Sequence, residues 1–171
     1  MLQGRVHGDL KKDQLNGAIE GALGLEQMLC NEGTLIFKFW FHLSKKQMLA
    51  RLESLKDDPL HSWRLSPLDW QQSKTYDKFV RAGEDVLRRT SRDYAPWYIV
   101  AGADANYRSL TVGRILLEGL QAVLRGSAER APLPHATPLM TRTDQRSLLD
   151  SLDMRLSLAK ADYRCLLYTS P

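Results

Sequence analysis

Residues 35–70, LIFKFWFHLSKKQMLARLESLKDDPLHSWRLSPLDW, constrain the fold more than any other stretch of the chain. The block opens within a strand, Thr34 to Phe41, whose residues are apolar at both even and odd positions. A strand with one wet face alternates. A strand apolar on both parities is covered on both faces, as in the parallel sheets of α/β proteins. Lys38 interrupts the run. A buried lysine is costly unless its cation meets an anion or its stem carries it to water. Two readings therefore stand for Lys38: a stem that snorkels to the sheet edge, or a functional contact with a bound anion.

The rest of the block is helix punctuation. Ser44 and Gln47 fit an S-x-x-Q capping box. Met48, Leu49, Leu52 and Leu55 supply an apolar face, and Asp57-Asp58-Pro59 stops the helix. A loop with His61, Trp63 and Arg64 then reaches Ser66-Pro67-Leu68-Asp69. Serine caps, proline takes the first helical position, and the carboxylate sits at the positive end of the dipole. This second helix is predicted to run to about Thr90.

Upstream, an amphipathic helix is predicted over about residues 11–31, carried by Leu15, Ile19, Leu25, Met28 and Leu29. Gly17, Gly21 and Gly24 weaken it by about 1 kcal/mol each relative to alanine, so packing must stabilise it. Gly33 marks its end. Downstream, Tyr94-Ala95-Pro96 turns the chain into a second strand, Trp97 to Ala101. Gly102-Ala103-Asp104 then leads into a long helix from about Ala105 to Arg125. After Gly126 the prolines at 132, 134 and 138 read as a linker over 127–146. Residues 147–171 read as the start of a following segment. Two strands do not make a stable doubly wound sheet, so the order of elements predicts the C-terminal half of one, within residues 1–126.

Composition removes several classes of function. With 171 residues and a net charge of +4, the chain is mildly basic, which permits a polyanionic partner without requiring one. The longest apolar run is LIFKFWFHL, far short of a membrane span, and the first residues carry no signal-peptide core. Cys30 and Cys165 stand alone, which fits a reducing cytoplasm. His7, His42, His61 and His135 have no zinc spacing, so no metal ligand is assigned. No hydrolase or calcium-loop motif and no RNA-binding signature occurs, so neither nucleic acid nor membrane is an expected partner.

Several motifs, in order and at matching spacing, carry a resemblance. They are EQMLCNEGTLIFKFWFHLSKKQ at 26–47, RLESLKDDPLHSWRLSPLDW at 51–70, and Tyr76-Asp77-Lys78-Phe79. RRTS at 88–91, APWYIVAGADANYRSLTVGRIL at 95–116 and SLLDSLDMRLSLAKADY at 147–163 follow. Together they resemble the polyphosphate kinase 2 family, in particular its two-domain polyphosphate:AMP branch. The resemblance implies a P-loop kinase fold, similar to thymidylate kinase, and phosphoryl transfer from polyphosphate to AMP, giving ADP, with Mg²⁺. It also implies a homo-oligomer. The family's glycine-rich Walker element and its Asp-Arg pair do not occur in these residues. The chain is therefore expected to be a fragment, inactive alone, with magnesium held mainly by elements it lacks. The apolar tail from Cys165 to Pro171 departs from the family and is expected to be non-native. The alternative reading is a non-catalytic polyanion-binding or oligomerisation module.

The resemblance also assigns residues. A lid is implied at about 56–66. Within Lys38–Arg92, twelve basic residues face seven acidic ones, a net +5. A polyphosphate groove needs such charge along its length. Arg51 and Arg64 lie where the family carries basic residues, and are expected to grip donor or nucleotide phosphates as the lid closes; a guanidinium fork suits that task. Lys38, Lys45, Lys46, Lys74, Lys78 and Arg88 are the further polyphosphate- or nucleotide-binding candidates. Asp104 and Arg108 follow the second strand, where α/β sheets bind ligands. Asp104 is read first as a helix cap, which leaves contact with the nucleotide open.

Overall fold

The computed structural model describes residues 2–125, 149 and 152–159. The elements run α1 Leu2–His7, α2 Lys12–Asn31, β1 Lys38–His42, α3 Lys45–Lys56, a 3-10 turn Ser62–Arg64, α4 Pro67–Lys74, α5 Tyr76–Thr90, β2 Trp97–Ala101 and α6 Ala105–Leu124. β1 and β2 pair in parallel, with Lys38 opposite Trp97 and His42 opposite Ala101. The mixed helix and parallel-sheet architecture is the one expected. The linker expected at 127–146 and the tail from Cys165 lie outside the described residues.

The two faces of the sheet are covered by different helices through one device. Gly83 of α5 lies under Trp40, where a Cβ would come within 2.7 Å of the indole. Gly119 of α6 lies under Phe37, where a Cβ would come within 2.5 Å of the ring. A side chain at either position would push helix and sheet apart. On the α5 side, Leu87, Ile99 and Leu149 form a buried cluster with Trp40, Val80, Trp97 and Leu152 around it. A second cluster of Leu15, Ile19 and Val86 ties α2 to α5.

Three expectations change in detail. The strand begins at Lys38, not Thr34, because residues 34–37 have no ladder partners and the Thr34 N–H turns back to the Leu29 carbonyl at 2.9 Å. Its two faces are also unequal. Phe37, Phe39 and Phe41 stack in a row at 6.4 and 6.3 Å, and Phe39 meets Tyr98 at 5.5 Å. Phe41 at the end of that row is 49% exposed. The helix predicted from Ser66 to Thr90 is two helices broken at Thr75. There the Ser73 hydroxyl donates to the Trp70 carbonyl at 2.8 Å and the Thr75 hydroxyl to the Gln72 carbonyl at 3.3 Å. Hydroxyls that bond nearby carbonyls compete with the helical ladder.

The remaining punctuation is as the sequence reads. The Ser44 hydroxyl accepts from the Gln47 backbone N–H, and Gln47 Oε1 accepts from the Ser44 N–H at 3.0 Å. Asp69 Oδ2 accepts from the Ser66 N–H at 2.8 Å. Gly33 closes α2 with φ +82°, a left-handed conformation that glycine adopts without strain. Along α6, Leu117, Leu120, Val123 and Leu124 remain exposed. No helix among the described residues is long and apolar enough to cross a membrane.

Candidate functional site

In a parallel pair the carboxyl ends of both strands lie on one edge. Here His42 and Ala101 end there, and the loops after them start α3 and α6. The Gly102 N–H donates to the His42 carbonyl at 2.7 Å. A Cβ on Gly102 would sit 3.1 Å from that same oxygen, so this closure relies on glycine. The Tyr76 hydroxyl, at the start of α5, donates to the Leu43 carbonyl at 2.7 Å. The amino ends of α3, α5 and α6 thus converge on one edge. Helix amino ends carry unpaired N–H groups and a partial positive charge, which suits phosphate.

Asp104 caps α6. Its Oδ1 accepts from the Tyr107 N–H at 2.7 Å. Arg108 lies one turn on. Its Nη1 donates to the Gly102 carbonyl at 2.8 Å and its guanidinium lies 5.8 Å from the Phe41 ring. That ring braces the cation at the mouth of the sheet edge. Lys45, in the first turn of α3, pairs with Asp77 of α5 at 2.9 Å. Both groups are exposed, so the pair is worth at most about 1 kcal/mol and yields readily to a stronger anion.

The other candidates are spread over the helices that follow. Lys46 and Arg51 are exposed on α3, Lys74 on α4 and Lys78 on α5. Arg88 is half-buried near the far end of α5. Arg64 lies in the 3-10 turn with its guanidinium 5.5 Å from the Trp63 ring. The loop around it is ordered by Asp58. One carboxylate oxygen accepts from the Leu60 N–H at 2.8 Å, and the other meets His61 Nδ1 at 2.7 Å. The His61 contact is the main reason the Asp58 carboxyl titrates below its ordinary value.

Lys38 stands apart from this set. It starts β1, so it lies at the amino end of the sheet, opposite the edge just described. It is 8% exposed. Its Nζ donates to Glu26 Oε2 at 2.7 Å and to the Thr90 carbonyl at 2.6 Å, with the Trp97 ring 5.4 Å away. Thr90 is the last residue of α5, so the lysine caps a helix carboxyl end. Burial is the largest influence on this amine and lowers its pKa, with Glu26 opposing. The stem does not snorkel to water, and in this structure the cation is held by Glu26 and the Thr90 carbonyl.

Tyr76 and Asp77 stand beside Lys78 in one motif, of which the sequence marks only the lysine as a binding candidate. Aromatic and acidic residues beside a lysine carry no sign of a contact with Leu43 or Lys45, which lie more than thirty positions earlier.

The polyphosphate kinase 2 family model matches residues 2–126. A protein of Pseudomonas syringae pv. tomato named polyphosphate:AMP phosphotransferase is 67% identical over 96% of this chain. Its Pseudomonas aeruginosa counterpart of the same name is 60% identical over 96%. The chain spans about a third of the length of both. A solved structure described as polyphosphate kinase 2 from Pseudomonas aeruginosa matches 97% of the chain and 29% of its own, at 53% identity and a TM-score of 0.60. Polyphosphate kinase 2 from Arthrobacter aurescens, at 24% identity, shares the fold over 98% of this chain with a TM-score of 0.68.

Proposed function

Because the chain belongs to the polyphosphate kinase 2 family, we propose that it forms the lid-bearing part of an enzyme that moves a phosphoryl group from inorganic polyphosphate to AMP, giving ADP. The observation that carries this reading is the 67% identity, over nearly the whole chain, to a protein named for that reaction. Residues 1–126 form the lid half, with the lid at about 56–66, and 127–146 lead to a following segment. The family model's span of 2–126 supports that boundary.

The physical support comes from the sheet edge. Phosphoryl transfer asks a protein to neutralise charge and align groups more than to form bonds. Three helix amino ends and Arg108 offer that beside the sheet. Lys45, Lys46, Lys74 and Lys78 extend positive charge along the outer helices, as a chain of phosphates would need. Arg51 and Arg64 grip phosphates when the lid closes, and closure keeps water from the transferring group. Arg88 is retained as a more distant contact. Lys38 is assigned a structural task instead.

The reaction implies magnesium. Among the described residues, no group of three or more His, Cys, Asp or Glu side chains is placed to hold a metal ion. These residues do not fit a magnesium site by themselves. In the assembled enzyme the ion is held mainly by elements that these 171 residues do not contain, and no glycine-rich phosphate loop occurs among them. The enzyme works in the cytoplasm, as a homo-oligomer.

The test is an exchange. The segment replaces the aligned third of the Pseudomonas syringae relative, and ADP formation is followed with AMP, polyphosphate and Mg²⁺. The hybrid is expected to make ADP at a rate comparable to its parent, and the 171-residue chain alone to make none. A folded hybrid that forms no ADP would overturn the reading.

A further inference from the structure

The tip of the lid carries a feature that phosphate chemistry leaves unused. Trp63 is 77% exposed, as is Leu60. Exposed tryptophans are commonly loose, but this one is held. Its Nε1 donates to the Leu60 carbonyl at 3.0 Å. Leu60 is fixed in turn by Asp58, which accepts from its N–H at 2.8 Å and also meets His61. The Arg64 guanidinium lies against the indole at 5.5 Å. The loop thus spends its local hydrogen bonds on presenting a wide aromatic surface to solvent.

Resting on the function proposed above, we propose that Trp63 is the lid's nucleobase platform: its indole stacks on the base of the acceptor nucleotide while Arg64 reaches that nucleotide's phosphate. Polyphosphate has no apolar or π surface, so an indole gains little from it. A purine has both. A platform already immobilised loses little side-chain freedom on binding. Stacking on an aromatic side chain is tolerant of base identity and strengthened by a neighbouring cation. Arg64, packed on the same ring, couples the two halves of the ligand: base on the indole, phosphate on the guanidinium. Trp63 is therefore a specificity-determining residue for the acceptor and not for the donor.

The experiment uses the hybrid enzyme described above. In Trp63→Ala, the KM for AMP is expected to rise about 5- to 150-fold, the span that base stacking covers, while the KM for polyphosphate stays within about twofold. Trp63→Phe should restore most of the AMP affinity. Ribose 5-phosphate, the same acceptor without its base, should inhibit both enzymes equally. An unchanged KM for AMP would overturn the assignment. So would equal rises for AMP and polyphosphate, which would mark Trp63 as a packing residue of the closed lid. If the unmutated hybrid makes no ADP, the function itself fails and this inference falls with it. If it makes ADP and Trp63→Ala leaves AMP untouched, only the platform fails.

Discussion

Replacing Lys38 by methionine tests how the amino end of the sheet is held. The Nζ lies 2.7 Å from Glu26 Oε2 and 2.6 Å from the Thr90 carbonyl, and the two side chains are 8% and 19% exposed. At an effective dielectric of about 20, charges that close attract by about 6 kcal/mol. Drawing both out of water costs several kcal/mol for each ion. The pair as a whole is therefore near break-even, yet losing one partner strands the other. Lys38→Met leaves Glu26 without its cation and the end of α5 without its cap, and should cost about 3–5 kcal/mol. Removing the second charge as well, in Glu26→Gln with Lys38→Met, should recover most of that loss. Urea unfolding followed by far-UV circular dichroism gives all four corners of the cycle. The sign of the pH dependence follows from the lowered amine pKa. Between its folded value and the ordinary 10.5, the unfolded chain binds the extra proton. Stability contributed by this group therefore rises with pH across that window, and the rise should be missing in Lys38→Met. A single variant within about 1 kcal/mol of the parent, or a double variant no better than the single, would refute the reasoning.

Four further outcomes are expected. Gly119→Ala drives a methyl to within 2.5 Å of the Phe37 ring; overpacking of about 1–3 kcal/mol should outweigh the helix-propensity gain and lower Tm. Gly113→Ala in the same helix meets nothing within 4 Å and should raise Tm by about 1 kcal/mol's worth of stability. The Asp58 carboxyl, held low chiefly by its bond to His61, should titrate below 3.8 by carbon-detected NMR. Its contribution to loop order is present above the unfolded value and lost as pH falls through the folded one, and His61→Ala should move the value back up. In the hybrid enzyme, Arg51→Ala or Arg64→Ala should lower kcat/KM by at least tenfold, with Lys a poor substitute; full turnover in either would remove that arginine from the phosphate-binding set.

Much of the fold is legible because its signals are local. The apolar runs give both strands, the capping pairs at Ser44 and Ser66 give two helix starts, and Asp104 reads as the cap it is. The family motifs are legible for the same reason, as contiguous strings. What was not legible is set by distant partners. Nothing beside Lys38 announces Glu26 or the Thr90 carbonyl, which reach it from 12 and 52 positions away. The unequal faces of β1 depend on α6, whose Gly119 packs under Phe37 while Phe41 at the other end of the row stays 49% exposed. The break at Thr75 turns on two hydroxyls choosing carbonyls over water, a choice that propensity does not register. At the candidate site, charge and motif pointed to the basic residues, whereas Tyr76 and Trp63 owe their places to backbone carbonyls that sequence cannot locate.

Leu149 has a consequence for the order in which the protein is made. It is 1% exposed within the cluster of Leu87 and Ile99, its N–H donates to Glu84 Oε1 at 2.9 Å, and a few residues later the Met154 carbonyl accepts from Gln47 Nε2 at 2.9 Å. A nascent chain that has released only α6 from the ribosome still lacks one wall of that cluster. The sheet's α5 side therefore cannot close during synthesis until Leu149 itself emerges. Until then the half-built core is a surface for chaperones to shield, and the bond from Gln47 to the Met154 carbonyl is the last of these contacts to become available.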